Sequence, residues 1–372
     1  MIEFLNSNAE LIIRSVVLFL FFLTILVLLM AFFSRWKLRR RERRRTRVTE
    51  ILGERIIRYA SGDIPIEDVQ KHLQKQQDYT VMLEIVNQLD QVLGGPEKER
   101  LQELMEVEST RVYFENRFRS GEPVFQAKAC LWLAKRKSIQ RDKISELMEM
   151  SSAGDPILAY AASYALIRHG SREEKRAALR NVLLNHRISN MAVNDLLHQL
   201  TLLGEEYHRF EMETLTQFVA DAEIPPGRTA LLIHVLNEME YFHSFEFLKE
   251  YYHNEGGKHD SPEVVEAIIY AMARFGYEEI LPDLQELYVN SKHSEVREAA
   301  AWAMGFFMKE ESIPFLKWLV NDPNYNVCYK AARALAGYPD IDMSRIRHPN
   351  ISDGDWNNLT GEIRMTEMKG GI

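Results

Sequence analysis

The apolar positions of this chain form two patterns, and the first is an uninterrupted apolar run near the N-terminus. From Ser15 to Phe33 no residue is charged, and the apolar side chains cover every face of a helix. Nineteen positions make about 28 Å of helix at 1.5 Å per residue, close to the roughly 30 Å hydrocarbon core of a bilayer. The run predicts one transmembrane helix, with residues 11–33 in contact with the membrane.

The second pattern begins near residue 50 and is helical throughout. Apolar residues recur at three- and four-residue spacing, turn signals follow every ten to fifteen residues, and strand-like alternation is hard to find. Helices are predicted near residues 48–59, 66–74 and 80–93, the first ending at the turn of residues 61–63. The chain is therefore predicted to be all-α.

From residue 123 onward the helical pattern repeats. The clearest copies carry Val264, Val296 and Val327, at spacings of 32 and 31, and each valine is followed seven residues later by an Ala and a large apolar residue. Such small residues let one helix lie close to its neighbours, while the second helix of the unit fills the layer between. Another copy begins at Asp155-Pro156, and weaker copies begin near Pro123, Asn190 and Pro226.

Residues 293–321 resemble the HEAT repeats, in particular the bacterial HEAT-like or phycobilisome-lyase-like group. The resemblance rests on Arg297, on the Ala300-Ala301-x-Ala303-Met304-Gly305 run and on the Pro-led second helix from Pro314. It implies a HEAT-like α-solenoid of helical hairpins, here preceded by one transmembrane helix, whose Ala-rich helices line a concave, partner-facing side. The arginine is missing after Val264 and Val327.

These patterns divide the chain into five segments. After residue 338, several Pro and Gly residues and the loss of any amphipathic period predict an extended tail. The segments are a leader and transmembrane helix at 1–34, a basic juxtamembrane segment at 35–48, an N-terminal helical cap at 49–122, a repeat solenoid at 123–338 and a tail at 339–372.

Charge is divided unevenly between the two ends of the chain. Residues 1–48 hold ten Lys or Arg and three Asp or Glu, which leaves 36 basic and 51 acidic residues in the rest. A body this acidic repels phosphate backbones, so no nucleic-acid partner is expected. Because the cations follow the apolar run, the positive-inside rule predicts an N-terminus outside and a cytoplasmic C-terminal domain at the bacterial inner membrane.

A cleaved signal peptide is the alternative interpretation of the apolar run. It would have its positive charges before the run and small residues at a cleavage site after it; here the cluster of charges follows the run, and no such site appears. Instead nine cations between Arg35 and Arg47 follow, opposed by Glu42 alone. They serve as a topology determinant and possible contacts of anionic lipid; the candidates are Arg39, Arg40, Arg41, Arg43, Arg44 and Arg45.

Two groups of residues are candidate contacts of a protein partner. Six aromatic residues fall within residues 241–252, more than one helix face can bury, although packing in the core of the repeats is the competing interpretation. Tyr251 and Tyr252 are predicted to be the most exposed of them. Charged residues of the Ala-rich helices could line the concave face. The candidates are Tyr241, Phe242, Phe245, Tyr251, Tyr252, Arg274, Arg297 and Arg333, with Glu263, Glu266, Glu295, Glu298 and Lys330 beside them.

No motif for catalysis, cofactor or metal binding is found in the sequence. The Glu-x-x-His spacings of Glu205 with His208 and of Glu240 with His243 lie near predicted turns and lack the further carboxylates of a di-iron centre. Cys130 and Cys328 are interpreted as reduced core residues. The sequence therefore favours a non-catalytic, membrane-anchored scaffold that binds protein partners; the alternative is a lyase-like enzyme or enzyme subunit built on HEAT-like repeats.

Overall fold

The computed structural model describes residues 2–73, 75–90, 92–202, 208–238, 242–253 and 261–343, together with residues 346 and 361. Every regular element in this part of the chain is helical, and no strand occurs among these residues. The chain divides into two compact units, Met1–Ser138 and Ile139–Ile372, which are described separately below. The expectation of an all-α chain is confirmed for the residues described.

The first unit begins with one long helix, α1 (Ile2–Ser61). No Pro or Gly lies between the apolar run and Val48, so nothing breaks the helix there. The expected separate helix beginning at Val48 is therefore wrong in its start. Its end is confirmed: Gly62 adopts φ +87°, and the N–H of Asp63 bonds the carbonyl of Arg58 at 2.8 Å, closing the last turn.

The described side chains of the apolar run in α1, from Leu18 to Phe33, are exposed. Among them, Phe19 is 66% exposed and Phe22 is 69% exposed. Among the described residues, α1 is the helix whose length and composition would allow it to cross a membrane. Exposed apolar surface on every side of a helix is unfavourable in water and favourable in lipid.

The C-terminal part of α1 forms the first wall of a small helical core. Its Leu52 and Ile56 are fully buried against α3 and α4, and Trp132 of α6 stacks on Phe114 with ring centroids 5.4 Å apart. The remaining helices are α2 (Ile66–Gln70), α3 (Gln76–Leu89), α4 (Gly95–Glu106), α5 (Glu108–Phe118) and α6 (Pro123–Lys135). Helix α6 packs on α5 and belongs to this first unit. The boundary between residues 122 and 123, which is placed where the sequence repeats begin, remains a prediction.

The second unit is a succession of helical hairpins. Its helices are α7 (Arg141–Ser151), α8 (Pro156–His169), α9 (Arg172–Leu184), α10 (Asn190–Thr201), α11 (His208–Ala220), α12 (Pro226–Glu238), α13 (Phe242–His253), α14 (Pro262–Arg274), α15 (Leu281–Asp283, which continues as a π-turn over Leu284–Tyr288), α16 (Ser294–Phe307), α17 (Ile313–Leu319) and α18 (Tyr325–Ala336).

Successive first helices of these hairpins pack side by side, α8 to α10 to α12 to α14 to α16 to α18, while the second helices cover them. Within the second unit this arrangement is that of an α-solenoid. The repeat register is confirmed, because α8, α10, α12, α14, α16 and α18 each begin within two residues of a predicted copy. Gly305 shows how close the layer is: a Cβ built on it would lie 2.5 Å from the Cβ of Ala334 in α18.

Side-chain caps fix several of the helix starts. The carboxylate of Asp155 accepts the N–H groups of Ile157 and Leu158 at 3.0 and 2.9 Å, and Asn324 caps α18 in the same way. The sequence predicts such a cap before each repeat helix. At α14 and α16 this is wrong: Ser261 donates to the carboxylate of Glu263 instead, and His293 before α16 makes no side-chain cap.

The tail begins in contact with the last hairpin. Tyr338 is buried and its hydroxyl donates to the carbonyl of Lys309 at 2.9 Å, and Met343 is buried too. The expected extended tail therefore starts after residue 343 at the earliest. Trp356, which the sequence suggests as a contact of the last repeat, lies outside the described residues.

Candidate partner-binding surface

The first helices α14 and α16 bring seven side chains into one surface, here called the carboxylate–aromatic surface. Equivalent residues stand 32 apart in the sequence, as the repeat demands, and three- and four-residue spacing keeps them on one face of each helix. Its members are Glu263, Glu266 and Tyr270 of α14 and Glu295, Glu298, Trp302 and Phe306 of α16.

The carboxylates of this surface repel one another. Burial raises the pKa of Glu266, and the neighbouring carboxylates of Glu298, Glu295 and Glu263 raise it further. Of these, Glu263 has a lowered pKa, chiefly because the hydroxyl of Ser261 donates to it. Within the described residues, no Lys or Arg lies at ion-pair distance from the four. A cation brought by another molecule would relieve this repulsion.

Aromatic rings adjoin the carboxylates. The rings of Tyr270 and Trp302 lie 4.8 Å apart between centroids, and Phe306 stacks on Trp302 at 5.5 Å. Burial, with the carboxylates of Glu298 and Glu266, raises the pKa of Tyr270 to about 12, which places its hydroxyl near both acids. Phe306 is 51% exposed, while Tyr270 and Trp302 are half-buried. Aromatic faces attract cations and supply contact area at protein interfaces.

The neighbouring helix α18 carries an aromatic pair and a cation at related positions. Tyr325 is 59% exposed and stacks on Tyr329 at 6.3 Å. Arg333 is exposed and stands six residues after Val327, as Trp302 does after Val296. Arg274, at the end of α14, is also exposed. The structure thus places two of the predicted arginines on the surface of the first-helix layer; their role in binding remains a prediction.

The third predicted arginine, Arg297, is held inside the repeat. Its guanidinium donates to the carboxylate of Asp322 at 2.6 and 3.0 Å and to the carbonyl of Ser291 at 2.7 Å. The two charged side chains are only 13% and 3% exposed. Because the ion pair ties α16 to the turn before α18, Arg297 is a packing residue in this structure and not a surface residue.

The aromatic cluster of residues 241–252 is also turned inward where it is described. Phe245 packs on Phe275 and Tyr277, with centroids 5.3 and 5.7 Å away. Tyr251 and Tyr252 are half-buried, contrary to the expected exposure, because the next hairpin covers them: the hydroxyl of Tyr252 donates to Asp283. These contacts favour core packing. Tyr241 and the side chain of Phe242 lie outside the described residues.

The juxtamembrane arginines lie on α1 in the first unit. The side chains of Arg39, Arg40, Arg43 and Arg44 are exposed; that of Arg41 is not described. Arg40 lies over the ring of Trp36 at 4.8 Å. Arg45, 65% exposed, pairs with Glu84 of α3 at 2.7 Å, which ties the basic helix to the small helical core. Contact of these residues with lipid remains a prediction.

No group of His, Cys, Asp or Glu suited to a metal ion occurs in the part of the chain that the structure describes. Glu205, Glu240 and the side chains of His208 and His243 lie outside that part. Cys130 and Cys328 are buried thiols, and burial raises the pKa of the Cys130 thiol to about 12, which disfavours the reactive thiolate.

Residues 255–340 match the family model of HEAT repeats. The matched segment includes α14, α16 and α18, and therefore the whole carboxylate–aromatic surface. Together with the all-helical architecture, the match supports a HEAT-repeat protein. No curated protein matches the chain in sequence. The HEAT-repeat family is generally a non-catalytic scaffold whose members mediate protein interactions.

The sequence interpretation missed Tyr270, Trp302 and Phe306. The signal was available, because Tyr270 and Trp302 each stand six residues after the repeat valines that set the register. The repeat register, applied to the large polar and aromatic residues, predicts the exposed face. The local density of aromatic residues instead pointed to the cluster of α13, which is covered. Position within the repeat was the better guide.

Proposed function

We propose that the protein is a membrane-anchored scaffold that binds a protein partner through the carboxylate–aromatic surface of α14 and α16. The observation that supports this most directly is the HEAT-repeat match over residues 255–340, which covers that surface. Large aromatic residues beside charged groups are the usual composition of strong protein contacts. The four carboxylates favour a partner segment that carries Lys or Arg.

The anchor proposed for α1 gives the scaffold its location. With residues 11–33 in the cytoplasmic membrane and the cations after them on the inner side, the repeats face the cytoplasm. Confinement to a thin layer beside the membrane raises the effective concentration of whatever the surface binds near membrane-embedded proteins. An assembly or regulatory role at a bacterial envelope complex is consistent with such a location.

Site-specific photo-crosslinking tests the surface. A photoreactive amino acid in place of Phe306 should crosslink to a discrete partner in cells, and Trp302→Ala in the same chain should reduce the yield at least about ten-fold, as for an interface hot spot. Met191 of α10, 82% exposed on the same layer, is the matched control position and should give no such product. Equal products at both positions would contradict the proposal.

The anchor has its own test. The intact chain should stay in the membrane pellet after alkaline carbonate extraction, and a chain lacking residues 15–33 should be released. Reporter fusions before residue 11 and after residue 338 should report opposite sides of the membrane. A processed N-terminus on the mature chain would instead indicate a signal peptide.

Metal analysis separates the scaffold from a lyase-like or metal-dependent enzyme. The scaffold proposal expects no stoichiometric iron or zinc in the purified chain. Metal at one equivalent or more, retained through dialysis, would argue for an enzyme and against the scaffold.

A further inference from the structure

A cleft in the first unit lies between α1 and the corner that joins α2 to α3. Its volume is about 270 Å³, slightly below the roughly 300–1,000 Å³ of most ligand pockets, so it would suit a small molecule. The residues that line it are Arg44, Val48, Ile51 and Leu52 of α1 together with Lys71, His72, Lys75 and Asp78.

One wall of the cleft is apolar and belongs to a single stripe of α1. Val48, Ile51 and Leu52 stand at three- and four-residue spacing after Arg44, so all four project from one side of the helix. Leu52 is 1% exposed and joins the core, while Ile51 is 43% exposed. This wall offers contact to the flat or apolar part of a ligand.

Cations from both walls line the cleft together with one buried carboxylate: Arg44 lies on α1, and Lys71 and Lys75 lie opposite it. Arg44 and Lys75 are exposed, and Lys71 pairs with Asp68 at 2.8 Å. Asp78 is 5% exposed; its Oδ2 accepts the N–H of Lys75 at 2.8 Å, and its Oδ1 is buried with no hydrogen-bond partner in the described part of the chain. A buried carboxylate oxygen without a donor is unfavourable, and a donor supplied by a ligand would remove that cost.

We propose that this cleft binds a small phosphate ester that also carries an amino or hydroxyl donor. The phosphate would lie between Arg44 and Lys75, the donor would reach Asp78, and the remaining part of the ligand would cover Val48 and Ile51. Guanidinium and ammonium groups are the usual protein partners of phosphate. A nucleoside monophosphate combines all three features at a suitable size.

Phosphate esters come from two sources, lipid headgroups and soluble metabolites, and helix geometry favours the second. Arg44 lies ten residues beyond Ser34, or about 15 Å along α1. The headgroup layer is only about 5–8 Å thick on each side of the hydrocarbon core. With α1 across the membrane as proposed above, Arg39 lies about 7.5 Å beyond Ser34, at headgroup depth, and Arg44 lies well beyond that layer.

Calorimetric titration of the intact chain in phosphatidylcholine nanodiscs, with AMP as the probe, tests the proposal. AMP should bind, and Arg44→Ala and Lys75→Ala should each weaken it at least about five-fold, since each removes a charge-assisted contact. Arg40→Ala is the matched control, because Arg40 is an exposed cation of the same helix outside the cleft; it should change the affinity less than about two-fold.

Asp78→Asn distinguishes the proposed arrangement from simple attraction of anions. The variant should weaken AMP, whose amino group loses a charged acceptor, and should strengthen inorganic phosphate, which loses a repelling neighbour. The proposal would be overturned by no AMP binding at about 1 mM, by equal losses in the Arg40 control, or by occupation only in nanodiscs that contain phosphatidylglycerol, which would assign the cleft to lipid. None of these outcomes depends on the partner surface of α14 and α16.

Discussion

Two parts of the first-helix layer carry side chains at the same helical positions, and only one of them is satisfied within the protein. Between α8 and α10, the hydroxyl of Tyr160 donates to the carboxylate of Asp195, and that of Tyr164 donates to Gln199 at 3.4 Å. Between α14 and α16, the equivalent positions hold two acids, Glu266 and Glu298, followed by two aromatic rings.

The difference shows how one repeat architecture provides both a closed face and an open one. Where a donor faces an acceptor, the two side chains form a hydrogen bond within the protein and have little remaining capacity to bind another molecule. Two carboxylates that face each other are both acceptors, so they are stabilised only when another molecule supplies a donor or a cation. Pairing across the layer, more than exposure alone, therefore separates the structural face from the candidate partner-binding surface.

The largest predicted effect on stability comes from a buried carboxyl group that has no hydrogen-bond partner among the described residues. Glu211 of α11 is fully buried, neither of its oxygens has a hydrogen-bond partner among the residues that the structure describes, and burial raises its pKa to about 7. The unfolded chain loses this proton near pH 4.5, whereas the folded protein keeps it until about pH 7. Stability is therefore lost as pH rises between these values, by about 3 kcal/mol.

Glu211→Gln should remove that loss. The variant and the natural chain should have similar unfolding free energies near pH 4.5, and the variant should be more stable by about 3 kcal/mol at pH 8, measured by denaturant unfolding in detergent. Glu213→Gln, on the same helix but 51% exposed, is the control; it removes only a surface ion pair with Arg209 and should change the stability by less than about 1 kcal/mol at any pH. Parallel profiles for the Glu211 variant and the natural chain would show that Glu211 ionises normally.

The second-largest predicted effect on stability comes from the close packing of α16 against α18. Gly305→Ala should destabilise the protein by about 2 kcal/mol, because its Cβ would overlap Ala334 of α18. Gly227→Ala on α12 is the matched control: nothing lies within 4 Å of its Cβ, so the better helix former should stabilise by about 0.5 kcal/mol. Thermal unfolding of both variants measures the contrast, and a neutral Gly305 variant would show that the layer can relax.

A matched pair of tyrosine substitutions tests the two faces directly. Tyr160→Phe should cost about 1 kcal/mol of stability, because Asp195 loses its donor. Tyr270→Phe should cost less than about 0.5 kcal/mol, since its hydroxyl has no acceptor among the described residues. Denaturant midpoints of the two variants give the comparison; equal losses would remove the distinction between the closed and open faces.

The smallest predicted effect is a gain in stability. Glu298→Gln should lower the pKa of Glu266 towards its ordinary value and stabilise the protein by about 0.5 kcal/mol at low salt, because one repelling charge is removed. Sodium chloride at high concentration should narrow the difference, since the charges are partly exposed. The same variant should weaken crosslinking from position 306, so it should gain stability while losing binding.

Sequence periodicity predicted the helical layer well, because helix starts depend on local signals. Pro156, Pro226 and Pro262 mark first helical positions whatever surrounds them, and the valine register placed α14, α16 and α18. It could not show that Arg297 would turn inward, because that depends on Asp322, twenty-five residues away. Nor could it place the ring of Trp302 beside Tyr270, which depends on how neighbouring repeats stack.

The single helix α1 joins the apolar run to the core of the first unit without a hinge. From Ser34 to the buried Leu52 it rises about 27 Å as one rod. A flexible tether would let the folded unit sample every height below its own length, whereas a rod holds it at one height and transmits any tilt of the anchor. With α1 anchored as proposed, the folded unit would stand at a fixed distance from the bilayer, and deleting four residues within residues 35–43 would bring it about 6 Å closer and rotate it by about 40°.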